Sequence, residues 1–373
     1  MPTVIGVPKE IKDKEGRVSM QPDGAAELVH HGHEVVVQQG AGRGAGFSDE
    51  EYERAGARVA GSAKEVFDSA GLIVKVKEPI PEEYELFKEG QQLFTYLHLA
   101  ADKQQTEFLI ERKIDAIAYE TVELDDGSLP LLTPMSEVAG RMATQAAAHC
   151  LESPQGGAGL LLGGVPGTPA ARVTIIGGGV VGLEAAKIAV GMRAIVRLFD
   201  INPRRLAYLG DIFGGRVDLV IPNRARTAAY VRESDVVIGA VLVHGAKAPK
   251  LVSREMIASM RPGSVAVDVA IDQGGCIETA RATTHSDPTY VEEGVVHYCV
   301  ANIPGAVART ATLALTSVTL PYLIKIAEEG VVGAAKGDTA LAKGLSTLRG
   351  ELVSEPVAEA HGLSYTEPAK LLG

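Results

Sequence analysis

The sequence predicts an α/β protein of two doubly wound parallel sheets, with one domain inserted into the other. Three observations carry this. From Arg172 to Asp200 the chain runs an apolar β-branched strand, a Gly177-x-Gly179-x-x-Gly182 turn, an alanine-rich helical segment, and a second apolar strand that ends in an acid. The first third of the chain alternates short apolar strands with helical segments, the pattern of a parallel sheet covered on both faces. The tail after Ala334 reads as helical and polar and returns to the first domain. Residues 1–133 and 307–373 therefore read as one domain and residues 134–306 as the other.

The glycine turn carries the most chemistry. Gly177 allows the tight turn out of the strand, Gly179 lets the backbone approach a pyrophosphate, and Gly182 lets the helix pack close to the sheet. The helix N-terminus offers N–H groups and partial positive charge to phosphate. Asp200 falls roughly twenty residues further on, where a carboxylate accepts hydrogen bonds from the adenosine ribose. A glycine triplet alone is weak; here strand, turn, helix, second strand and acid stand in register, and the reading is a Rossmann-like dinucleotide domain. The acid repels a 2′-phosphate and favours NAD over NADP. Arg193, Arg197 and Arg204 nearby soften that preference.

Composition bounds the rest. The chain has 373 residues, 46% hydrophobic and 22% charged, which suits two globular domains. A net charge of -11 argues against a nucleic-acid partner. No apolar run reads as a membrane span, and the N-terminus reads as a first strand rather than a leader, so the expectation is a cytoplasmic protein. Cys150, Cys276 and Cys299 are scattered without a CxxC, as in a reduced thiol set.

In chain order, strands are expected at Val4 to Val7, Glu34 to Gln38, Leu72 to Lys77, Leu93 to Leu97 and Ala116 to Tyr119. Helices are expected at Pro22 to His31 and Asp49 to Ala55. Gly40 to Gly46 reads as a flexible surface loop. Pro134 to Leu151 is one long small-residue helix, followed by a glycine-dense linker from Gly156 to Gly167. Beyond the dinucleotide unit come strands at Val217 to Ile221, Val236 to Ala240, Ser264 to Val269 and Val295 to Val300. A second long helix spans Thr310 to Glu329, perturbed by Pro321.

Ligands of open parallel sheets bind outside the carboxyl ends of the strands. The polar residues there are Arg17, Lys75, Lys77, His98, Glu120, Asp272 and Asn302. An interdomain cleft is their natural meeting place. Arg suits a carboxylate anchor, and His suits a general acid/base near neutral pH. Each has a plainer reading. Arg17 reads as a surface ion pair with Glu15. Lys75 and Lys77, two apart and so on one face, also read as solvated ends of an edge strand. His98 also reads as a core or cap histidine, and Asp272 as a turn residue beside Gly274-Gly275. His30, His31 and His33 sit at a helix end with no acidic or Cys partner near in sequence, so no metal site is expected. Cys276 reads as a structural thiol.

Longer blocks add a resemblance. GVPKEIK, KVKEP, FTYLHLAA, AYETVEL, LPLLTPMSEVAGR, GAVLVHGAKAPKLV, AIDQGGC and VANIPGA together resemble the L-alanine dehydrogenases, and in part the related α-subunit of nicotinamide nucleotide transhydrogenase. The resemblance runs from the first strand to the tail. It implies reversible, NAD-dependent oxidative deamination of L-alanine to pyruvate and ammonium. It also implies a homohexamer, in which the helix from Ser136 to Cys150 packs subunits. It makes Arg17 and Lys77 the holders of the pyruvate carboxylate and carbonyl, His98 the acid/base, and Asp272 an activator of water or ammonia. It makes Ser136, Asp200 and Asn302 NAD contacts. Lys75 and Glu120 are left as supporting residues. The chain departs from the family pattern at His244 and Ala308, where Pro is usual, at Ser317 for Asn, and at Arg193 for Gly. Two rival readings stand beside this one: a transhydrogenase-type hydride subunit with a membrane partner, and a non-catalytic NAD-sensing or scaffold protein.

Overall fold

The computed structural model describes residues 2–241 and 248–373. His244 and the middle of the GAVLVHGAKAPKLV block lie outside the described residues. The chain divides into two units: Met1–Met135 with Val307–Gly373, and Ser136–Ala306.

The first unit opens with β1 (Val4–Val7), β2 (Glu34–Gln38), β3 (Arg58–Ala60), β4 (Leu72–Val74), β5 (Gln92–Thr95) and β6 (Asp115–Ala118). The second contributes β7 (Arg172–Ile176), β8 (Ile195–Phe199), β9 (Val217–Val220), β10 (Val236–Gly239), β11 (Val265–Asp268), β12 (Thr289–Glu292) and β13 (Val295–Tyr298). The chain then returns to the first unit for β14 (Leu345–Leu348) and β15 (Glu351–Leu352).

The first sheet has the order β15-β14-β6-β5-β4-β1-β2-β3. From β6 to β3 all pairing is parallel, with Val4 opposite Glu34 and Ile5 opposite Leu72. β14 adds antiparallel to β6, with Leu345 opposite Ile117. The second sheet has the order β12-β13-β11-β10-β7-β8-β9, parallel except for the edge strand β12. The central strands are buried, as the unbroken apolar runs LIV and VVIG require of a sheet covered on both faces. In the second unit one core gathers Ala143 and Ala147 with Ile175, Ala185 and Leu198. The opposite face gathers Phe199, Val237, Ile257 and Ile277.

The structure revises several expectations. β4 stops at Val74, so Lys75 and Lys77 lie beyond it. Lys75 is 1% exposed, which removes the reading as a solvated edge. The tail is not simply helical, because β14 and β15 lie within it. β3, β12 and the helix Lys103–Glu111 were not anticipated. The Gly40 to Gly46 loop is a structured turn: it contains the 3-10 segment Arg43–Ala45, buries Ala41 and Ala45, and receives the Arg309 guanidinium on the Ala45 carbonyl at 2.9 Å. His31 does have acidic partners, Glu328 at 2.9 Å and Glu27 at 3.4 Å.

The stretch Ile303–Gly337 has the length and apolarity of a membrane span, contrary to the expectation from apolar runs. Its helix, Ala308–Gly337, contains Pro321 and breaks at Gly330 (φ 69°, ψ 167°). It buries Leu315, Leu323, Ile326 and Val331 in the first unit.

Candidate active site and dinucleotide site

The strand order of the first sheet decides which loops are neighbours. β6, β5, β4, β1 and β2 are adjacent and parallel, so the segments after them open on one edge. These carry, in order, Glu120, His98, Lys77, Arg17 and the Gly40 to Gly46 loop. Chain direction across the sheet reverses between β4 and β1, the kind of switch point where such sheets bind ligands. Beside it, between the segments after β1 and β2, a cavity of about 600 Å³ is lined by Glu10, Glu15, Arg17, Gln39, Arg43 and Gly44, among others.

Arg17 is paired with Glu15, as its sequence neighbourhood suggests, but the pair is buried: the side chains are 3% and 0% exposed. Nε and Nη2 donate to the two carboxylate oxygens at 2.8 and 2.5 Å, and Nη1 lies 3.3 Å from the Met135 sulfur. Burial alone pushes the guanidinium pKa down, and Glu15 more than restores it. Such a fork fixes the plane of the group as well as its charge.

Lys77 lies 3.7 Å from Glu78, which also grips Lys12 on the loop that leads to Arg17. Burial would raise the Glu78 carboxyl, but Lys77 and Lys12 overcome it and hold the pKa at about 2. Beneath this pair, Lys75 donates to Glu10 at 3.1 Å and Glu83 at 2.7 Å.

His98 has left-handed backbone geometry (φ 50°) and a side chain 48% exposed. Glu120 is what holds it. The Glu120 carboxylate accepts the His98 N–H at 2.6 Å and the Leu97 N–H at 3.2 Å, and sits 3.8 Å from His98 Nδ1. The imidazole stacks on Tyr96 with ring centroids 5.9 Å apart and planes within 3°. Tyr96 itself is anchored by its hydroxyl on the Leu131 carbonyl at 2.5 Å. The plain reading of His98 as a core histidine does not hold; as a cap it holds in position, since His98 is the N-cap of the 3-10 segment Leu99–Ala101, though its side chain makes no cap hydrogen bond.

In the second unit the switch point lies between β10 and β7, and the glycine turn follows β7. Gly177 has φ 106°, a conformation side chains avoid. Gly182 has a different role from the one expected. A Cβ there would sit 1.8 Å from the Gly177 carbonyl, so the close approach is to the turn more than to the sheet. Gly179 is the N-cap of the helix Val180–Gly191, and a Cβ there would meet nothing within 4 Å. That open face at a helix N-terminus is room for a pyrophosphate. The Asp200 carboxylate accepts the Gly178 N–H at 2.9 Å and the Asn202 N–H at 2.7 Å, which fixes the acid beside the turn. Arg205 clasps the same turn through the Gly178 carbonyl at 2.5 Å. These residues fit a dinucleotide.

Asp272 and Asn302 follow parallel strands of the second sheet, on the edge that carries the glycine turn. Asp272 is exposed on the 3-10 segment Val269–Gln273 after β11. Asn302 follows β13 with φ 67°, and its carbonyl lies 2.9 Å from His285 Nε2. Ser136 is half-buried on the helix Thr133–Cys150. Cys276 is fully buried, its thiol pushed far up by burial and by Asp268, as a structural thiol should be. Among the described residues no group of three or more His, Cys, Asp or Glu is placed to hold a metal ion.

Sequence reasoning missed Glu10, Glu78, Tyr96 and Met135. Glu78 directly follows Lys77 in KVKEP, and Tyr96 stands two residues before His98 in FTYLH. Glu10 and Met135 act across long sequence distances and leave no local signal.

Two nucleotide-fold sheets, a glycine turn fixed beside an acid, and Arg17, Lys77 and His98 on one sheet edge suit one class, a nicotinamide-nucleotide-dependent dehydrogenase. Comparison with known proteins makes it particular. Residues 6–139 match the alanine dehydrogenase/PNT N-terminal domain and residues 143–355 the C-terminal domain, and the chain belongs to that family. It is 59% identical to an alanine dehydrogenase of Methanococcus maripaludis over 99% of both chains. A solved L-alanine dehydrogenase superposes with TM-score 0.93 at 54% identity, covering 96% of this chain and 99% of the other. A transhydrogenase from Sinorhizobium meliloti is more distant, at TM-score 0.81 and 27% identity over 94% of this chain and all of the other.

Proposed function

We propose that the protein is an NAD-dependent L-alanine dehydrogenase that interconverts L-alanine with pyruvate and ammonium. The observation that carries this is the buried Arg17–Glu15 fork on the same sheet edge as Lys77 and His98, in a chain 59% identical to a named alanine dehydrogenase. We assign the first unit to the substrate and the second to the cofactor.

Bound NAD supplies the hydride acceptor, held through Gly177, Gly179, Gly182, Asp200, Ser136 and Asn302. Arg17 binds the substrate carboxylate and Lys77 the oxygen that becomes the carbonyl. Loss of hydride from Cα leaves an iminium, whose carbon is attacked by water. His98 takes the proton of that water, and Asp272 orients it. The C–N bond of the resulting carbinolamine then breaks. His98 returns its proton to nitrogen, the hydroxyl proton passes through His98 to the departing ammonia so that ammonium leaves, and Lys77 stabilises the carbonyl oxygen as it forms. Glu120 orients His98 without touching substrate.

Small molecules are the only partners assigned, apart from further copies of this chain. A homohexamer is the assembly we favour, as the family resemblance implies, and three unpaired cysteines suit a cytoplasmic location. A transhydrogenase subunit is less well supported, because the identity halves from 54% to 27%. The test is NADH oxidation by pyruvate and ammonium, run beside NADPH and beside pyruvate alone. Oxidation that requires ammonium and prefers NADH is expected. Oxidation without ammonium points to a hydroxy-acid dehydrogenase, and NADH binding without turnover points to a sensor. His98→Ala should bind NADH and lose turnover; near-normal rates would remove His98 from its role.

A further inference from the structure

The segment that carries Lys77 is fastened from below by buried charges that the proposed chemistry does not use. Lys75, Glu10 and Glu83 are 1%, 5% and 3% exposed. The Lys75 ammonium bridges both carboxylates. Each carboxylate also holds backbone. Glu10 accepts the Val76 N–H at 2.6 Å and the Lys77 N–H at 3.3 Å. Glu83 accepts the Ile80 N–H at 3.1 Å, at the start of the helix Pro81–Tyr84. One ammonium thus ties together the two ends of the short segment from Val76 to Ile80. Neighbouring bonds complete the seat: the Thr95 hydroxyl donates to the Lys77 carbonyl at 3.1 Å, and the Ser19 hydroxyl donates to the Val74 carbonyl at 2.7 Å.

A buried ion cluster is a poor way to gain stability, because desolvation offsets the attraction. An apolar side chain would fill the same space, but it could not tie two carboxylates that each grip a peptide N–H. What the cluster does supply is a fixed backbone position, and the residue fixed is Lys77.

We propose that Lys75, with Glu10 and Glu83, is a positioning triad for Lys77, so that turnover depends on two lysines of KVKEP, one of which touches no substrate. Lys75 acts through the peptide it holds. The proposal rests on the alanine dehydrogenase reading.

The experiment is steady-state kinetics of full-length Lys75→Met, Glu10→Gln and Glu83→Gln in pyruvate amination, with melting temperature and NADH affinity measured alongside. In Lys75→Met the pyruvate KM should rise by ~tenfold or more with a smaller change in kcat, while the ammonium KM and NADH affinity stay within about twofold. Glu10→Gln keeps an acceptor for the Val76 and Lys77 N–H groups and should shift pyruvate KM in the same direction by less. If Lys75→Met does not fold, the two Gln variants decide by the same pyruvate-selective shift. Lower melting temperatures with unmoved pyruvate KM would overturn the proposal and leave the triad a structural cluster; so would parallel losses for pyruvate and NADH. A wild-type enzyme that does not turn over pyruvate, ammonium and NADH overturns the functional reading itself, and the positioning role with it.

Discussion

Glu120→Ala isolates the device that sets His98. The substitution removes the acceptor for the His98 N–H at 2.6 Å and the Leu97 N–H at 3.2 Å. A hydrogen bond to a charged acceptor contributes roughly 1.5–3 kcal/mol. The left-handed backbone it holds, at φ 50°, is disfavoured by roughly 1–2 kcal/mol for a residue with a side chain. Without the carboxylate the strain opposes the native placement, and His98 shifts toward extended geometry. A net change of about 2 kcal/mol lowers the ratio of placed to displaced His98 by ~30-fold. On the proposed role of the imidazole in the chemical step, the loss should fall on kcat, with pyruvate KM and NADH affinity little changed. Glu120→Gln keeps one acceptor oxygen and should lose less than ~tenfold. Initial rates of pyruvate amination, followed by NADH absorbance across a pyruvate titration, give both constants. A kcat for Glu120→Ala within about twofold of wild type would show that the turn holds His98 without Glu120.

Two further outcomes follow from the geometry. Asp200→Asn keeps an acceptor for the turn but removes the charge proposed to meet the ribose. The ratio of kcat/KM for NADPH to that for NADH should then rise by about tenfold, read from paired titrations; an unchanged ratio would place cofactor selection elsewhere. Glu78 has its folded pKa depressed from 4.5 to about 2, so its ion pairs stabilise the protein above pH 4.5 and that support is lost as pH falls toward 2. The melting-temperature gap between wild type and Glu78→Gln should be constant near neutrality and close on acidification; a gap that widens in acid contradicts the assignment.

The alternation of strand and helix was legible because central strands buried on both faces read as apolar runs, and the glycine turn because its backbone demands leave so few residue choices. Arg17, Lys77 and His98 were legible by position, since strand ends in a parallel sheet collect on one edge. What could not be read was how each is held. Glu15 stands two residues from Arg17, but nothing local says that the pair is buried. Lys75 looks like Lys77 in sequence, and only Glu10 and Glu83 folding over Lys75 tell the two apart. β3 has three residues and β15 has two, too short for a periodic signal to build.

The return of β14 to the first sheet has a consequence for how the chain is made. The Thr347 hydroxyl donates to the Ile114 carbonyl across 233 positions. On the ribosome, β1 to β6 emerge first, yet β6 stays an open edge until the whole second unit has been synthesised. The second unit, contiguous from Ser136 to Ala306, has all its strands available before β14 exists. Folding should therefore finish at the first unit, although that unit starts first, with the slow step set by closing one very long loop. In nascent chains halted before Leu345, the exposed β6 edge is the place where chaperones or aggregation would act.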